Sequence, residues 1–76
     1  MAQSAKCFAE RLNNCLDETN APFQMRERAA ILSKLFDIPK STAWNLLEGH
    51  QLPEPDLLQK IAKEFDVESN WLSGEK

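Results

Sequence analysis

Apolar residues recur along this chain at the three- and four-residue intervals of helix faces, and the strand-type alternation of apolar and polar residues appears nowhere. The first stripe predicts a helix with Phe8, Leu12, Cys15 and Leu16 on its inward face. Residues 17–22 interrupt this pattern with turn-forming residues and end in a proline.

The next two stripes predict helices over about 24–36 and 40–48, separated by Asp-Ile-Pro. Pro39 has no amide hydrogen and disfavours helical angles at the residue before it, so the chain is expected to turn there. Gly49 stands where a left-handed residue commonly ends a helix. The inward residues predicted for this pair are Met25, Ala29, Leu32, Leu35, Phe36, Ala43, Leu46 and Leu47.

Two further helices are predicted after an extended connection at 50–54. Pro55 and Asp56 favour the first turn of a helix, and Ser69 is expected to cap a one-turn helix that stops at Gly74. The predicted fold is all-α, a compact five-helix bundle in a single domain, 1–76. The inward residues predicted here are Leu58, Ile61, Ala62, Phe65, Trp71 and Leu72.

Length and charge narrow the class of protein. With 76 residues, of which 42% are hydrophobic, the chain has room for one small core, which excludes a multi-domain enzyme. It has no apolar run that could span a bilayer or serve as a signal peptide, so a cytoplasmic protein with no membrane partner is expected. A net charge of −3 argues against a protein that coats nucleic acid indiscriminately.

Reactive groups are few. Cys7 and Cys15 are eight residues apart, about 12 Å along one helix, which is beyond the reach of a disulfide. His50 has no second histidine and no Cys-x-x-Cys with which to share a metal, and the only glycines, Gly49 and Gly74, form no phosphate-binding loop. We therefore expect no metal, no cofactor and no enzymatic activity.

The segment 29–48 has the pattern of a helix-turn-helix. Counting from Ala29, the fourth, eighth, tenth, fifteenth and eighteenth positions of such a motif should be buried, and all five are apolar in this chain. The fifth position is a serine, small enough for two helices to cross closely. The five apolar positions are Leu32, Phe36, Ile38, Ala43 and Leu46.

The sequence resembles the lambda-repressor-like family of Cro/CI or XRE-type helix-turn-helix regulators over about residues 7–75. IPKSTAWNLLEG is similar to the family's turn, recognition helix and glycine stop. QLPEPDLLQKIAKEFDVESNWLSGE is closer still to its proline-rich connection, Leu-Leu-x-x-Ile-Ala helix and terminal Trp-Leu-x-Gly, and FAERL resembles its first helix. The resemblance implies a lambda repressor-like DNA-binding domain with a central helix-turn-helix.

Three departures from the family pattern change the expected contacts. Asp37 stands at a position where the family often has glycine, about six extra residues lie around DETNAPF, and Ala29 replaces a glutamine that commonly reaches phosphate or base. Asp tolerates the left-handed conformation better than most residues, so the turn is expected to form. Arg26 and Arg28 are the candidates for the phosphate contacts that Ala29 cannot make.

The resemblance also assigns a DNA-binding surface, because the family's recognition helix lies in the major groove with its outward residues near base edges. Lys and Asn side chains suit guanine and adenine edges, and Ser and Thr suit base or phosphate. Ser41 as a residue of the helix cap, and Lys40 as a solvated charge, remain open alternatives. The implied contacts are Lys40, Ser41, Thr42, Trp44 and Asn45, with His50 and Gln51 beside the sugar-phosphate chain.

Trp44 projects about 100° from the inward Ala43 and is expected to face DNA or solvent. It can pack on thymine methyls or sugars, anchor a protein partner, or lie partly buried against Phe23 or Met25. Trp71, in contrast, is expected in the core.

Two functional hypotheses follow. The first is a sequence-specific DNA-binding module of a bacterial or phage transcription regulator, a repressor that binds double-stranded operator DNA as a homodimer and is nucleoid-associated when bound. Residues 24–53 hold four basic and three acidic groups, whereas 54–76 hold three basic and six acidic groups, so the acid excess lies away from the proposed surface. The alternative is a protein-interaction module, an adaptor or antirepressor that uses Trp44 on the same scaffold.

Overall fold

The computed structural model describes residues 5–74, so the outer limits of the predicted domain, 1–4 and 75–76, lie outside the described residues. Helices are the only regular elements of the described residues, which contain no strand, and this confirms the all-α class and the five predicted helices. The first helix continues through Asp17 and Glu18, which the sequence had placed in the turn. The helices are α1 (Ala5–Glu18), α2 (Met25–Phe36), α3 (Lys40–Glu48), α4 (Pro55–Phe65) and α5 (Ser69–Leu72).

The helices α2 and α4 end by the same local device. Asp37 and Asp66 adopt left-handed conformations, with φ of 57° and 59°. The amide of the following β-branched residue then donates to a carbonyl five residues back, from Ile38 to Ser33 at 3.2 Å and from Val67 to Ala62 at 2.9 Å. This is the Schellman arrangement, which satisfies carbonyls left open at a helix end. Each stop follows a phenylalanine, and the next helix starts within three residues.

Gly49 ends α3 in the same manner, with φ of 82°. It also lies where α3 approaches α1. A Cβ atom at this position would lie 3.3 Å from the Cα atom of Lys6 and 3.6 Å from the carbonyl oxygen of Ala5. Glycine is therefore required here for two independent reasons, the backbone conformation and the distance between the two helices.

The core lies between α1, α2, α3 and the two C-terminal helices, with α2 packed on α3 and α4, and α1 packed on α3 and α5. Most of the residues predicted to be inward are buried, although Met25, Phe36, Leu58 and Phe65 are only partly so. The radius of gyration is 11.0 Å, the value expected for about 70 folded residues. The largest fully buried apolar side chains are Phe8, Leu12, Leu16, Leu32, Leu46, Leu47, Ile61 and Leu72.

Three expectations for individual residues need correction. Trp71 is exposed rather than part of the core, because Leu72 takes the inward position of the single-turn α5 and Trp71 lies about 100° away from it. Leu35 is half exposed at the edge of the α2 stripe. The N-cap of α5 is Glu68, and Ser69 is its first helical residue.

Cys7 and Cys15 are not joined by a disulfide. Burial raises the pKa of the Cys15 thiol, and the nearby Glu18 carboxylate raises it further. In addition, no helix within 5–74 has the length and apolar character needed to cross a bilayer.

The raised pKa of Cys15 predicts slow alkylation. Because the thiolate is the nucleophile, in a Cys7→Ser variant at pH 8 we expect iodoacetamide to modify Cys15 more slowly in the folded chain than in urea. Since the thiol has the higher pKa in the folded state, its contribution to stability is complete below the unfolded pKa and is lost as pH rises through the folded pKa. Equal rates in the folded and unfolded chains would contradict this prediction.

Candidate nucleic-acid interface

The helix α3 is held by a three-residue connection from α2 and by apolar contacts on one side. After the left-handed Asp37, Pro39 adopts an extended conformation and serves as the N-cap residue, and the amide of Ala43 donates to its carbonyl at 3.0 Å. The hydroxyl of Ser33 donates to the carbonyl oxygen of Ile38, which links the turn to α2. The side chain predicted to be merely small therefore also holds the turn in place.

The inward face of α3 consists of Ala43, Leu46 and Leu47, all of which are buried. Of the five motif positions predicted to be buried, Leu32, Ala43 and Leu46 are buried, whereas Phe36 and Ile38 are partly so. A hydrogen bond also links α1 to the C-terminal end of α3. The side-chain amide of Asn13 donates to the carbonyl oxygen of Leu47 at 3.2 Å. This polar link was not predicted from the sequence.

The outward face of α3 carries the residues assigned to base contacts. Lys40, Ser41 and Trp44 are exposed, whereas Thr42 and Asn45 are half-buried. Trp44 retains 37% of its accessible surface, the same fraction as Trp71. These five side chains therefore reach the surface from one nine-residue helix, and the first turn of that helix contains no acidic residue.

Glu48 belongs to the same outward face, and the sequence hypotheses did not include it. It follows Ser41 by seven residues and Trp44 by four, a spacing that places all three side chains on one side of a helix. Its carboxylate lies 3.4 Å from the Nε2 atom of His50. The i, i+3, i+7 spacing of Ser41, Trp44 and Glu48 in the sequence indicates this shared face. Glu48 places a negative group at one end of an otherwise neutral or basic face.

His50 and Gln51 are both exposed just after α3. The side-chain Nδ2 atom of Asn45 lies 3.4 Å from the Oε1 atom of Gln51, near the outer limit of a hydrogen bond. Asn45, Glu48, His50 and Gln51 thus form two adjacent polar pairs at the C-terminal end of the helix. The amide of Asn45 needs little rearrangement to donate elsewhere.

The two arginines proposed as phosphate contacts differ in accessibility. Arg26 is exposed near the N-terminus of α2. Arg28 retains only 4% of its accessible surface, and its guanidinium is fully engaged inside the domain. Its Nε atom donates to the carbonyl oxygen of Pro22 at 2.7 Å, Nη1 donates to Oδ1 of Asn13 at 2.8 Å, and Nη2 forms an ion pair with Asp17. Arg28 is therefore not available to a phosphate, and we remove it from the candidate interface.

The residues that connect α1 to α2 are organised around this buried guanidinium. Arg28 joins α2 to the end of α1 and to the backbone just before Phe23. Phe23 itself is 89% exposed, with its ring 5.9 Å from the guanidinium carbon of Arg28. The segment between α1 and α2 is consequently a fixed part of the fold, and it presents an aromatic ring to solvent beside α2.

The turn between α2 and α3 does not by itself distinguish an interface, because α4 and α5 are joined by a turn of the same geometry. What differs is the helix that follows. Whereas α5 has four residues, α3 has nine and offers Lys40, Ser41, Trp44 and Asn45 at the surface. Among residues 5–74, no cluster of three or more His, Cys, Asp or Glu side chains is arranged to hold a metal ion.

Compared with protein-family models, with curated proteins and with solved structures, the chain matches none.

Proposed function

We propose that this chain is a DNA-binding module of a bacterial or phage transcription regulator, in which α2 and α3 act as a helix-turn-helix and α3 enters the major groove. The observation that carries the proposal is the division of α3 into a buried apolar face and an open polar face with Lys40, Ser41 and Asn45 at the surface. Such a helix, supported from behind, is what base recognition in the major groove requires.

The N-terminal end of α3 supports the proposal electrostatically. The N-cap residue Pro39 provides no side-chain hydrogen bond to the first turn, so the first amides of the helix keep their donor capacity for an outside acceptor. The ammonium of Lys40 adds positive charge at this end, where the helix dipole also favours an anion. With Arg26 the surface has two accessible cations, and the exposed acids Glu27, Asp37 and Glu48 are near them in the sequence, so we propose few phosphate contacts per subunit.

Few phosphate contacts imply limited affinity from one half-site. We therefore propose that two copies bind a roughly two-fold symmetric operator, with half-sites about one helical turn apart. For about two neutralised phosphates in each subunit, the slope of log affinity against log salt is expected near −4 for the pair. A footprint of two separated half-sites on a selected sequence is the measurement that checks the pairing.

The contribution of α3 is tested with duplexes selected from a random pool. We expect Lys40→Ala and Asn45→Ala each to weaken binding of the selected duplex about tenfold, since a good base contact contributes about 1–3 kcal/mol. Lys34→Ala is the matched control, because Lys34 is an exposed lysine on α2 outside the proposed surface. Circular dichroism should show unchanged helix content in all three variants. The assignment of α3 fails if both variants bind as tightly as the parent.

A second candidate function is supported by Trp44. An accessible tryptophan is a common anchor of protein interfaces, and the carboxylate of Glu48 shares its helix face. On this hypothesis the chain is an adaptor or antirepressor, and Trp44→Ala abolishes partner binding that is nearly independent of salt. DNA binding, in contrast, must weaken steeply as salt rises. Absence of binding to any random duplex at low salt would favour this second candidate.

A further inference from the structure

A groove between α2 and α4 is lined by residues other than those proposed to contact DNA. It has a volume of about 470 Å³ and is lined by Leu35 and Phe36 from α2 and by Lys60, Lys63 and Glu64 from α4. None of these residues belongs to α3. The groove therefore requires an explanation of its own.

The floor of the groove is apolar and partly uncovered. Leu35 keeps 49% of its surface accessible although it lies next to the buried stripe of α2. Phe36 packs partly against the core and supplies the adjoining apolar surface. An apolar floor bordered by charged residues is the usual composition of a surface that binds another protein.

The border of the groove is mainly basic. Lys60 and Lys63 are exposed, and neither ammonium forms an ion pair or a hydrogen bond with another residue in the range 5–74. Glu64 is the single acid in the lining. In the lining, two ammonium groups without an ion pair therefore stand against one carboxylate, beside an uncovered leucine.

We infer that this groove binds an acidic amphipathic helix of a partner protein. Leucine-like residues at three- and four-residue intervals would cover Leu35 and Phe36, and carboxylates beside them would meet Lys60 and Lys63. The two lysines are separated by three residues on α4, so acids three or four residues apart on the partner match them. A nucleic-acid backbone would use the same lysines but would gain nothing from Leu35, so the apolar floor favours a peptide.

The probe is a 16-residue peptide with leucine at alternating three- and four-residue intervals and glutamate at the flanking positions. It is titrated to about 1 mM into ¹⁵N-labelled protein without DNA, so that the outcome is independent of the proposed function. We expect amide shifts centred on Leu35, Phe36, Lys60 and Lys63. A peptide in which lysine replaces every glutamate serves as the charge control and is expected to give no such shifts.

Variants then assign the contacts. We expect Lys60→Glu with Lys63→Glu to weaken binding at least about tenfold, and Leu35→Ser about fivefold. Glu64→Gln should instead tighten binding, because it removes the only acid of the lining. Lys34→Glu, an exposed lysine of α2 that does not line the groove, is the matched control and should leave the affinity unchanged.

Three outcomes overturn the inference. The first is absence of shifts, or shifts centred on Trp44 or Trp71, with the acidic peptide. The second is displacement of groove resonances by a short random duplex rather than by the peptide, which identifies DNA as the occupant. The third is concentration-dependent self-association of the protein alone that Leu35→Ser abolishes, which identifies a second copy of the chain.

Discussion

Replacing Arg28 by methionine is expected to lower the free energy of unfolding by about 3 kcal/mol. The side chain keeps a similar length, but the carbonyl oxygen of Pro22 and Oδ1 of Asn13 lose a charged donor, and the ion pair with Asp17 disappears. The guanidinium is buried but the Asp17 side chain is half exposed, so what is lost is the hydrogen bonds to a charged donor and the ion pair, and no buried charge is left unpaired. Because a chain of this size has a total stability of only about 5–10 kcal/mol, the change is large.

Urea denaturation followed by circular dichroism measures this loss, and the same helix supplies the control. Arg26 is exposed two residues earlier, so Arg26→Met should change the free energy of unfolding by less than about 0.5 kcal/mol. Arg28→Lys should fall between the two, because one ammonium cannot reach three acceptors in the geometry of a guanidinium. Similar stabilities for the methionine variants at 26 and 28 would show that the buried guanidinium does not hold the connection between α1 and α2.

The second large effect is expected at Gly49, where valine should lower the free energy of unfolding by about 3 kcal/mol. A β-branched residue is strained in the left-handed conformation, at a cost of about 1–2 kcal/mol. The added Cβ would also lie 3.3 Å from the Cα atom of Lys6, which is backbone and cannot turn aside. The helices α1 and α3 must therefore separate slightly, and this weakens the contact that supports α3 from behind.

Gly49→Asn separates these two causes. Asparagine tolerates positive φ but still carries a Cβ, so it should recover the conformational part and leave a loss of about 1–2 kcal/mol from the close approach. If asparagine and glycine give equal stability, the close approach to Lys6 is without consequence. If asparagine and valine give equal stability, the backbone conformation is without consequence.

The helices were predictable because each one is specified by nearby residues. Proline at 39 and 55 and the left-handed residues at 37 and 49 set the limits of α2, α3 and α4, and these are local effects. Apolar spacing then identified the inward faces. The same method placed residues 17 and 18 in the turn, and this was wrong. Turn-forming residues are tolerated in the last turn of a helix, and here the left-handed residue that ends α1 comes later, at Asn20.

The positions that were predicted wrongly depend on contacts between distant parts of the chain. Arg28 lies at an inward position of α2, three residues after Met25 and four before Leu32, and that spacing was the one available signal. Its burial depends on Asn13 and Asp17 of α1, which no local pattern identifies. An arginine at an inward position is buried only where the fold brings partners to its guanidinium, as it does here.

The candidate interface was predictable as a set of residue types on a helix face, and less so in its details. Lys40, Ser41 and Trp44 are exposed as the spacing indicates. Glu48 also belongs to this face by the same spacing, although the sequence hypotheses did not include it. The exposure of Trp71 depends on Arg11, which is distant in the sequence. The guanidinium of Arg11 lies 4.9 Å from the tryptophan ring, and this contact stabilises the ring at an exposed position.

The sequence Phe-Asp-(Ile/Val) ends a helix twice in this short chain, at the end of α2 and at the end of α4. The turn from α2 to α3 and the turn from α4 to α5 have the same tripeptide conformation. The geometry of the turn therefore does not determine which residues the following helix exposes. After the first stop the chain continues for nine residues and leaves one side open to solvent, whereas after the second it continues for four and packs against α1 and α4. The turn geometry and the exposed residues of the helix that follows are thus separate features of this molecule. Residues on the open side of α3 can therefore be replaced without altering the turn that precedes it.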